Sequence, residues 1–235
     1  MSFMIAEPNK SYVFPSLEEA TPEGLVAVGG DLSRGRLLTA YRQGIFPWYS
    51  EGQPILWWSP DPRTVLYTGK VKVSRSLRKT LRHGDLTITI DSAFEDVINA
   101  CATPRGNESE TWITDDMNFA YCDLYKRGDA HSIEVWRNNT LVGGLYGVVL
   151  GDVFFGESMF SRENDASKVA LVGLDWQLQQ MHFRLIDCQI PSKHLFSLGA
   201  ESINREQFLA ELENGLQQNG KPGRWQLDIS AATLA

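Results

Sequence analysis

LVGGLYGVVLGDVFFGESMF, residues Leu141 to Phe160, reads as two strands joined by a turn. Leu141 to Leu150 and Val153 to Phe160 are apolar runs of strand length, and Gly151-Asp152 between them has the residue types of a hairpin turn. Just upstream, Ser132 to Trp136 ends at Asn138-Asn139, a second turn signal, so three antiparallel strands are predicted in succession. A helix from about Asn164 to Gln180 follows, and then a strand from Arg184 to Ile190. Glu157, in FFGESMFS, and Asp187, in LIDCQ, each stand inside an apolar run. A carboxylate there is costly to bury unless it has a partner or a task, so these two segments mark a site.

Composition frames that reading. The chain has 235 residues, 43% hydrophobic and 22% charged, which is enough apolar material for one large or two small ordered domains. No apolar run reaches the roughly 20 residues that a membrane helix needs. Met1 to Lys10 lacks a basic start followed by an apolar stretch, so a cytoplasmic protein without membrane contact is expected. Cys101, Cys122 and Cys188 lack metal-ligand spacing, and His83, His131, His182 and His194 form no ligand pair with them. Reduced thiols, no metal and no cofactor are the expectation.

The net charge of -7 argues against a protein that coats nucleic acid, yet the charge is uneven. No acidic residue lies between Asp61 and Asp85, where Arg63, Lys70, Lys72, Arg75, Arg78, Lys79 and Arg82 all fall. On a helix opened by Ser74 or Ser76, Arg75, Arg78, Lys79 and Arg82 share one face, with Leu77 and Leu81 on another. Such a face is either solvated surface or a local contact for RNA phosphates.

Residues 1 to 62 are rich in Pro, Gly and Trp and predict short elements and turns, with one helix from Ser33 to Arg42 capped by Asp31 or Ser33 and closed by Gly44. The rest alternates strand and helix patterns, with helices near Ala93 to Ala102 and Met117 to Arg127. The expected fold is α+β: a small N-terminal domain, 1–62, and an acyltransferase-like (GNAT-like) domain, 63–235, whose mixed sheet is flanked by helices. Acetyl-CoA enzymes of that pattern hold the pyrophosphate at a Gly-rich helix start. Ser161-Arg162-Glu163-Asn164-Asp165-Ala166-Ser167 has no glycine and two acids, which disfavours a CoA-dependent N-acyltransferase, the alternative function.

Seven ordered blocks carry a more specific likeness. They are Gly24 to Leu32 (GLVAVGGDL), Tyr41 to Trp48 (YRQGIFPW), Trp57 to Arg63 (WWSPDPR), Thr111 to Thr114 (TWIT), His131 to Trp136 (HSIEVW), Gly156 to Ser161 (GESMFS) and Leu185 to Gln189 (LIDCQ). In these the chain resembles the leucyl/phenylalanyl-tRNA-protein transferases over nearly its whole length. The resemblance implies a cytoplasmic, monomeric enzyme that moves Leu or Phe, and less readily Met, from aminoacyl-tRNA to proteins beginning with Lys or Arg. The product would enter the N-end rule degradation pathway.

The implied chemistry is aminolysis of an activated ester, needing a neutral amine, alignment and no ATP or metal. An α-amino group with a pKa of about 7.7 to 8.0 needs only a weak base near neutral pH. Following the family's proposed relay, Asp187 is the candidate to orient and deprotonate the amine, and Gln189, two residues along the same strand, shares its face. The alternative for Asp187 is a buried acid paired with an arginine. Strand alternation turns Cys188 the other way, as a packed thiol. Glu157 suits the positive acceptor or, alternatively, a structural salt bridge. The resemblance assigns Trp48, Trp112, Phe154, Met159 and Ile186 to an apolar pocket for the donor side chain, positions that otherwise read as core. Tyr41 and Tyr121 offer rings for stacking on the terminal adenosine. Leu145 stands where the family pattern has methionine, and Pro191-Ser192 replaces a Leu-Asn pair, while His194 matches.

Overall fold

The computed structural model describes residues 5–6, 13–83, 85–103, 113–218 and 223–235. The early chain forms short pieces, as its Pro and Gly content dictates: β1 (Ile5–Ala6), β2 (Leu25–Gly29), α1 (Arg34–Arg42), β3 (Phe46–Pro47) and β4 (Leu56–Trp58). Its strands make a sheet of order β1-β2-β4-β3. Helix α1 buries Leu37, Leu38 and Tyr41 and ends at Gly44, whose φ of +70° is left-handed. Of the expected caps, Asp31 or Ser33, Ser33 occupies the N-cap position of α1, without a side-chain cap bond. Asp31 Oδ1 instead accepts from the Ser33 amide (2.9 Å) and fixes the turn before it.

The larger sheet is built from β5 (Arg63–Tyr67), then α2 (Arg75–His83), β6 (Thr87–Ile90), α3 (Phe94–Ala102), α4 (Asp115–Lys126), β7 (Ala130–Arg137), β8 (Thr140–Leu150), β9 (Val153–Ser161), α5 (Ala166–Gln180) and β10 (Leu185–Gln189). After it come α6 (Lys193–Ser197), β11 (Glu201–Ile203), α7 (Arg205–Leu216) and β12 (Asp228–Ser230). The strand order is β11-β5-β10-β9-β8-β7-β6-β12. Strands β7, β8 and β9 form the predicted antiparallel meander, and the first turn carries Asn138 and Asn139 at positive φ, as a tight hairpin requires. Strand β10 then runs parallel to β9, with α5 as the crossover. This is a mixed α/β architecture in which a small N-terminal sheet accompanies a large sheet flanked by helices.

Apolar side chains leave the large sheet in both directions and make two cores. One holds Phe94, Val97 and Ile98 of α3 with Phe155 and Tyr146, and continues into Tyr41 of α1 and Trp57 of the small sheet. The other holds Val169, Leu171 and Leu174 of α5 with Leu77 and Leu81 of α2, Ile133, Phe154 and Ile186. Among the described residues no helix is long and apolar enough to cross a membrane.

The feature that positions a site is a parting of strands. β10 pairs with β9 only from Leu185↔Val153 to Asp187↔Phe155. Beyond that point β10 bulges against β5 between Asp187 and Gln189, and Gln189 takes a left-handed φ of +64°. The diverging halves of β9 and β10 leave a gap in the sheet.

Candidate active site

The gap opens into a cavity of about 490 Å³, lined by Gly156 to Met159 from β9, by Cys188 and Gln189 from the end of β10, and by Ile190 just after it. Its closed end is apolar: Leu145, Phe154, Leu171, Leu174 and Ile186, all buried in the α5-side core. Phe46, Pro47 and Trp48 line the side toward the small sheet, and Trp48 is 41% exposed. Ser192, His194 and Leu195 complete the wall from the start of α6. Ser192 also caps that helix through the Leu195 amide (3.1 Å). Burial and the nearby Lys168 lower the pKa of His194.

Glu157 is the acidic residue of that lining. Its carboxylate accepts from Tyr41 Oη (2.7 Å) and Gln189 Nε2 (3.2 Å) on one oxygen and from Tyr121 Oη (2.8 Å) on the other, while the two tyrosine hydroxyls meet at 2.6 Å. Burial pushes its pKa up to about 7, against the opposing pull of the two phenols. Burial and the Glu157 charge in turn hold both tyrosines well above the ordinary phenol range. The arrangement is a carboxyl that changes charge near neutrality at the edge of an apolar cavity.

Asp187 lies one step deeper and does not line the cavity. Arg63 grips it with two bonds, Nε to Oδ1 at 2.9 Å and Nη2 to Oδ2 at 2.6 Å, and both side chains are buried. Oδ1 also accepts from the Gln189 amide (2.9 Å), which fixes the bulge. Arg63 donates to Gly44 O (3.1 Å) and lies over the rings of Phe46 (4.8 Å) and Phe208 (4.5 Å). The pairing with an arginine weighed from sequence is thus the geometry found, and the residue sequence reasoning missed is Arg63. A signal was there: Arg63 opens the apolar run Thr64-Val65-Leu66-Tyr67 much as Asp187 interrupts its own.

Of the other sequence candidates, Trp48, Phe154, Glu157, Met159, Ile186 and Gln189 come together at the cavity. Trp112 lies outside the described residues. Tyr41 and Tyr121 are wholly buried, so neither ring offers a face for stacking; their hydroxyls serve Glu157 instead. Cys188 packs against the α5-side core on the side away from Asp187, as alternation has it, and the residue that leaves the alternation is Gln189. The bulge lets both Cys188 and Gln189 reach the cavity, and burial raises the thiol far from its nucleophilic range. Leu171 and Leu174 looked like ordinary core at helical spacing and had no signal of their own.

On the same side of the sheet as α5, helix α2 buries Leu77 and Leu81 and leaves Arg75, Arg78, Lys79 and Arg82 exposed. Lys79 and His83 share a wide depression with Arg137 and Glu163. At the start of α5, Glu163 and Asp165 bind Arg137 and Lys168, and Ser161 Oγ accepts from the Ser167 amide (3.1 Å). Among the described residues no cluster of His, Cys, Asp or Glu could hold a metal ion.

Comparison with known proteins identifies two matching family models: "Leucyl/phenylalanyl-tRNA protein transferase" over residues 65–213 and "Leucyl/phenylalanyl-tRNA protein transferase N-terminal domain" over residues 30–61. The leucyl/phenylalanyl-tRNA-protein transferase of Aromatoleum aromaticum is 54% identical over 220 residues, covering 93% of each chain. The one from Stutzerimonas stutzeri is 58% identical over 201 residues, 85% of this chain and 89% of its own. That of Nitrosomonas europaea is 53% identical over 222 residues, 92% and 93% of the two chains.

Proposed function

The chain belongs to the leucyl/phenylalanyl-tRNA-protein transferase family, and on that premise we propose how its cavity performs the transfer. The enzyme moves leucine or phenylalanine from aminoacyl-tRNA onto a protein. The apolar closed end, Leu145, Phe154, Leu171, Leu174 and Ile186, takes the donor side chain, with Met159 on the wall beside it. Trp48 covers it from the small sheet. Methionine at 159 lets one pocket admit a branched or a flat guest.

Glu157 receives the acceptor. An N-terminal Lys or Arg brings an ammonium group to a carboxylate that sits at the end of the donor pocket and holds its proton up to about pH 7. The carboxylate takes one proton from the α-ammonium, the neutral amine attacks the ester carbonyl, a C–N bond forms and the tRNA 3′ hydroxyl leaves. The second amine proton passes to the leaving oxygen or solvent. Gln189, bonded to Glu157, bridges toward the reacting centre. Asp187 is assigned to positioning rather than proton transfer, because it does not line the cavity and its charge is paired with the Arg63 guanidinium. The observation that carries this division is the contrast between a pocket-facing Glu157 and an arginine-bound Asp187.

The order β7-β8-β9 antiparallel, crossover helix, parallel β10, and the parting of β9 from β10 support a GNAT-like reading of residues 63–235, with 1–62 as the smaller unit. Glu163 and Asp165 at the α5 start speak against a CoA pyrophosphate there. The exposed cations of α2 are the proposed contact for tRNA phosphates, and the cytoplasm, where charged tRNA resides, is the proposed compartment. The test is transfer of labelled Leu from Leu-tRNA to a protein beginning with Arg, with a Met start as control. Label on the Arg protein alone is expected. Equal labelling of both, or of neither, contradicts the reading.

A further inference from the structure

Phe154 has two sides. One lines the closed end of the cavity; the other meets Trp225, their ring centres 6.4 Å apart and tilted by 42°. Trp225 belongs to the last stretch of chain, beyond the residue 213 at which the family model ends. It is tied down from three directions. Its ring stacks on His131 (3.9 Å, 12°), the edge of Phe183 packs against it (5.5 Å, 80°), and its amide donates to Asp91 Oδ2 (2.8 Å). Asp91 Oδ2 also meets His131 Nδ1 (2.8 Å), and its Oδ1 accepts from the Ser132 amide (3.1 Å). Downstream, β12 pairs with β6 and the Ala231 amide donates to Leu86 O (2.8 Å), so the segment cannot drift.

Phe154 is hemmed in on the strand side as well. A Cβ on Gly147 would stand 2.4 Å from the Phe154 ring, so the ring lies directly over bare backbone. With Gly147 beneath and Trp225 behind, the depth of the donor pocket is set by how far Phe154 can retreat. We propose that Trp225 is a specificity-positioning residue: the C-terminal segment, clasped by Asp91 and His131, fixes Phe154 and thereby the choice among donor side chains. This rests on the cavity being the donor pocket.

Replacing Trp225 by Leu removes the wall behind Phe154, and the pocket deepens. The ratio of kcat/KM for Phe-tRNA over Leu-tRNA should rise about three- to tenfold, below the range of a direct pocket contact. Trp225→Phe, a milder change that keeps a ring against His131, should shift it less and serves alone if the leucine variant does not fold. A structural role would lower transfer from both donors equally and leave the ratio in place. Met159→Ala, inside the cavity, runs beside them. A shifted ratio for Met159→Ala with an unmoved ratio in the folded Trp225 variants overturns this proposal alone. No shift in any variant overturns the pocket reading and this proposal with it.

Discussion

Arg63 and Asp187 illustrate how much of the site depends on a single pair. Removing one partner of a buried ion pair leaves the other charge without compensation, at a cost of about 3 to 5 kcal/mol. Arg63→Ala should therefore unfold in urea well below wild type, and the double variant Arg63→Met with Asp187→Leu should recover part of that loss. A double variant no better than the sum of the two singles would sink the account of this pair. Glu157 has the opposite signature. In the fold it keeps its proton to about pH 7, against the ordinary 4.5, so its contribution to stability is complete below about pH 4.5 and lost as the pH rises through 7. Glu157→Gln stays neutral throughout, and its Tm relative to wild type should climb from about pH 5 to about pH 8; a constant difference would contradict the raised pKa. Both carboxylates were visible in sequence because each interrupts an apolar run. Their different pairing was not, since Arg63 lies 124 residues from Asp187 and no spacing rule links them.

At the level of elements, helices α1 to α5 and strands β7 to β10 were legible because their periodicity is local, whereas β5, β6, β11, α7 and β12 were not foreseen. The meander, α5 and β10 fall within a residue or two of expectation. The bulge at Asp187 to Gln189 was not legible: nothing in LIDCQ announces a left-handed glutamine, and period-two reasoning put Gln189 on the face of Asp187 rather than at the cavity beside Cys188. The bulge is held by a local bond, the Gln189 backbone N–H donating to the Asp187 carboxylate, and that carboxylate is in turn oriented by Arg63, 124 residues away. Helix α2 carries its own prediction. Changing two of Arg75, Arg78, Lys79 and Arg82 to Gln should weaken full-length aminoacyl-tRNA binding and flatten its log-log salt slope by roughly one to two, since each lost phosphate contact releases about 0.7 to 0.9 fewer counterions. Phenylalanyl-adenosine, with no acceptor-stem phosphates, should react unchanged. Equal slopes for variant and wild type would leave α2 an ordinary solvated face.

In the whole molecule, the site lies where separate layers converge. Helix α1 sends Tyr41 to Glu157, and the chain that follows it sends Gly44 and Phe46 to Arg63 and Trp48 to the cavity; α7 adds Phe208 against Arg63. The α5-side core supplies the apolar end, and the α3-side core carries the tyrosines that hold Glu157. The textures of the sequence are what suggest a division of the chain into two parts. How they interlock around one carboxylate depends on contacts between distant residues. The central claim is that Glu157 handles the proton of the acceptor amine while Asp187 only positions. It is tested most directly by the pH dependence of kcat/KM for wild type, Glu157→Gln and Asp187→Asn with a minimal donor. Wild type should lose activity below about pH 7, and Asp187→Asn, though slower, should keep that limb. In Glu157→Gln the limb should move up to the amine's own range, about 7.7 to 8.0. A limb near 7 that survives in Glu157→Gln and vanishes in Asp187→Asn would contradict the account.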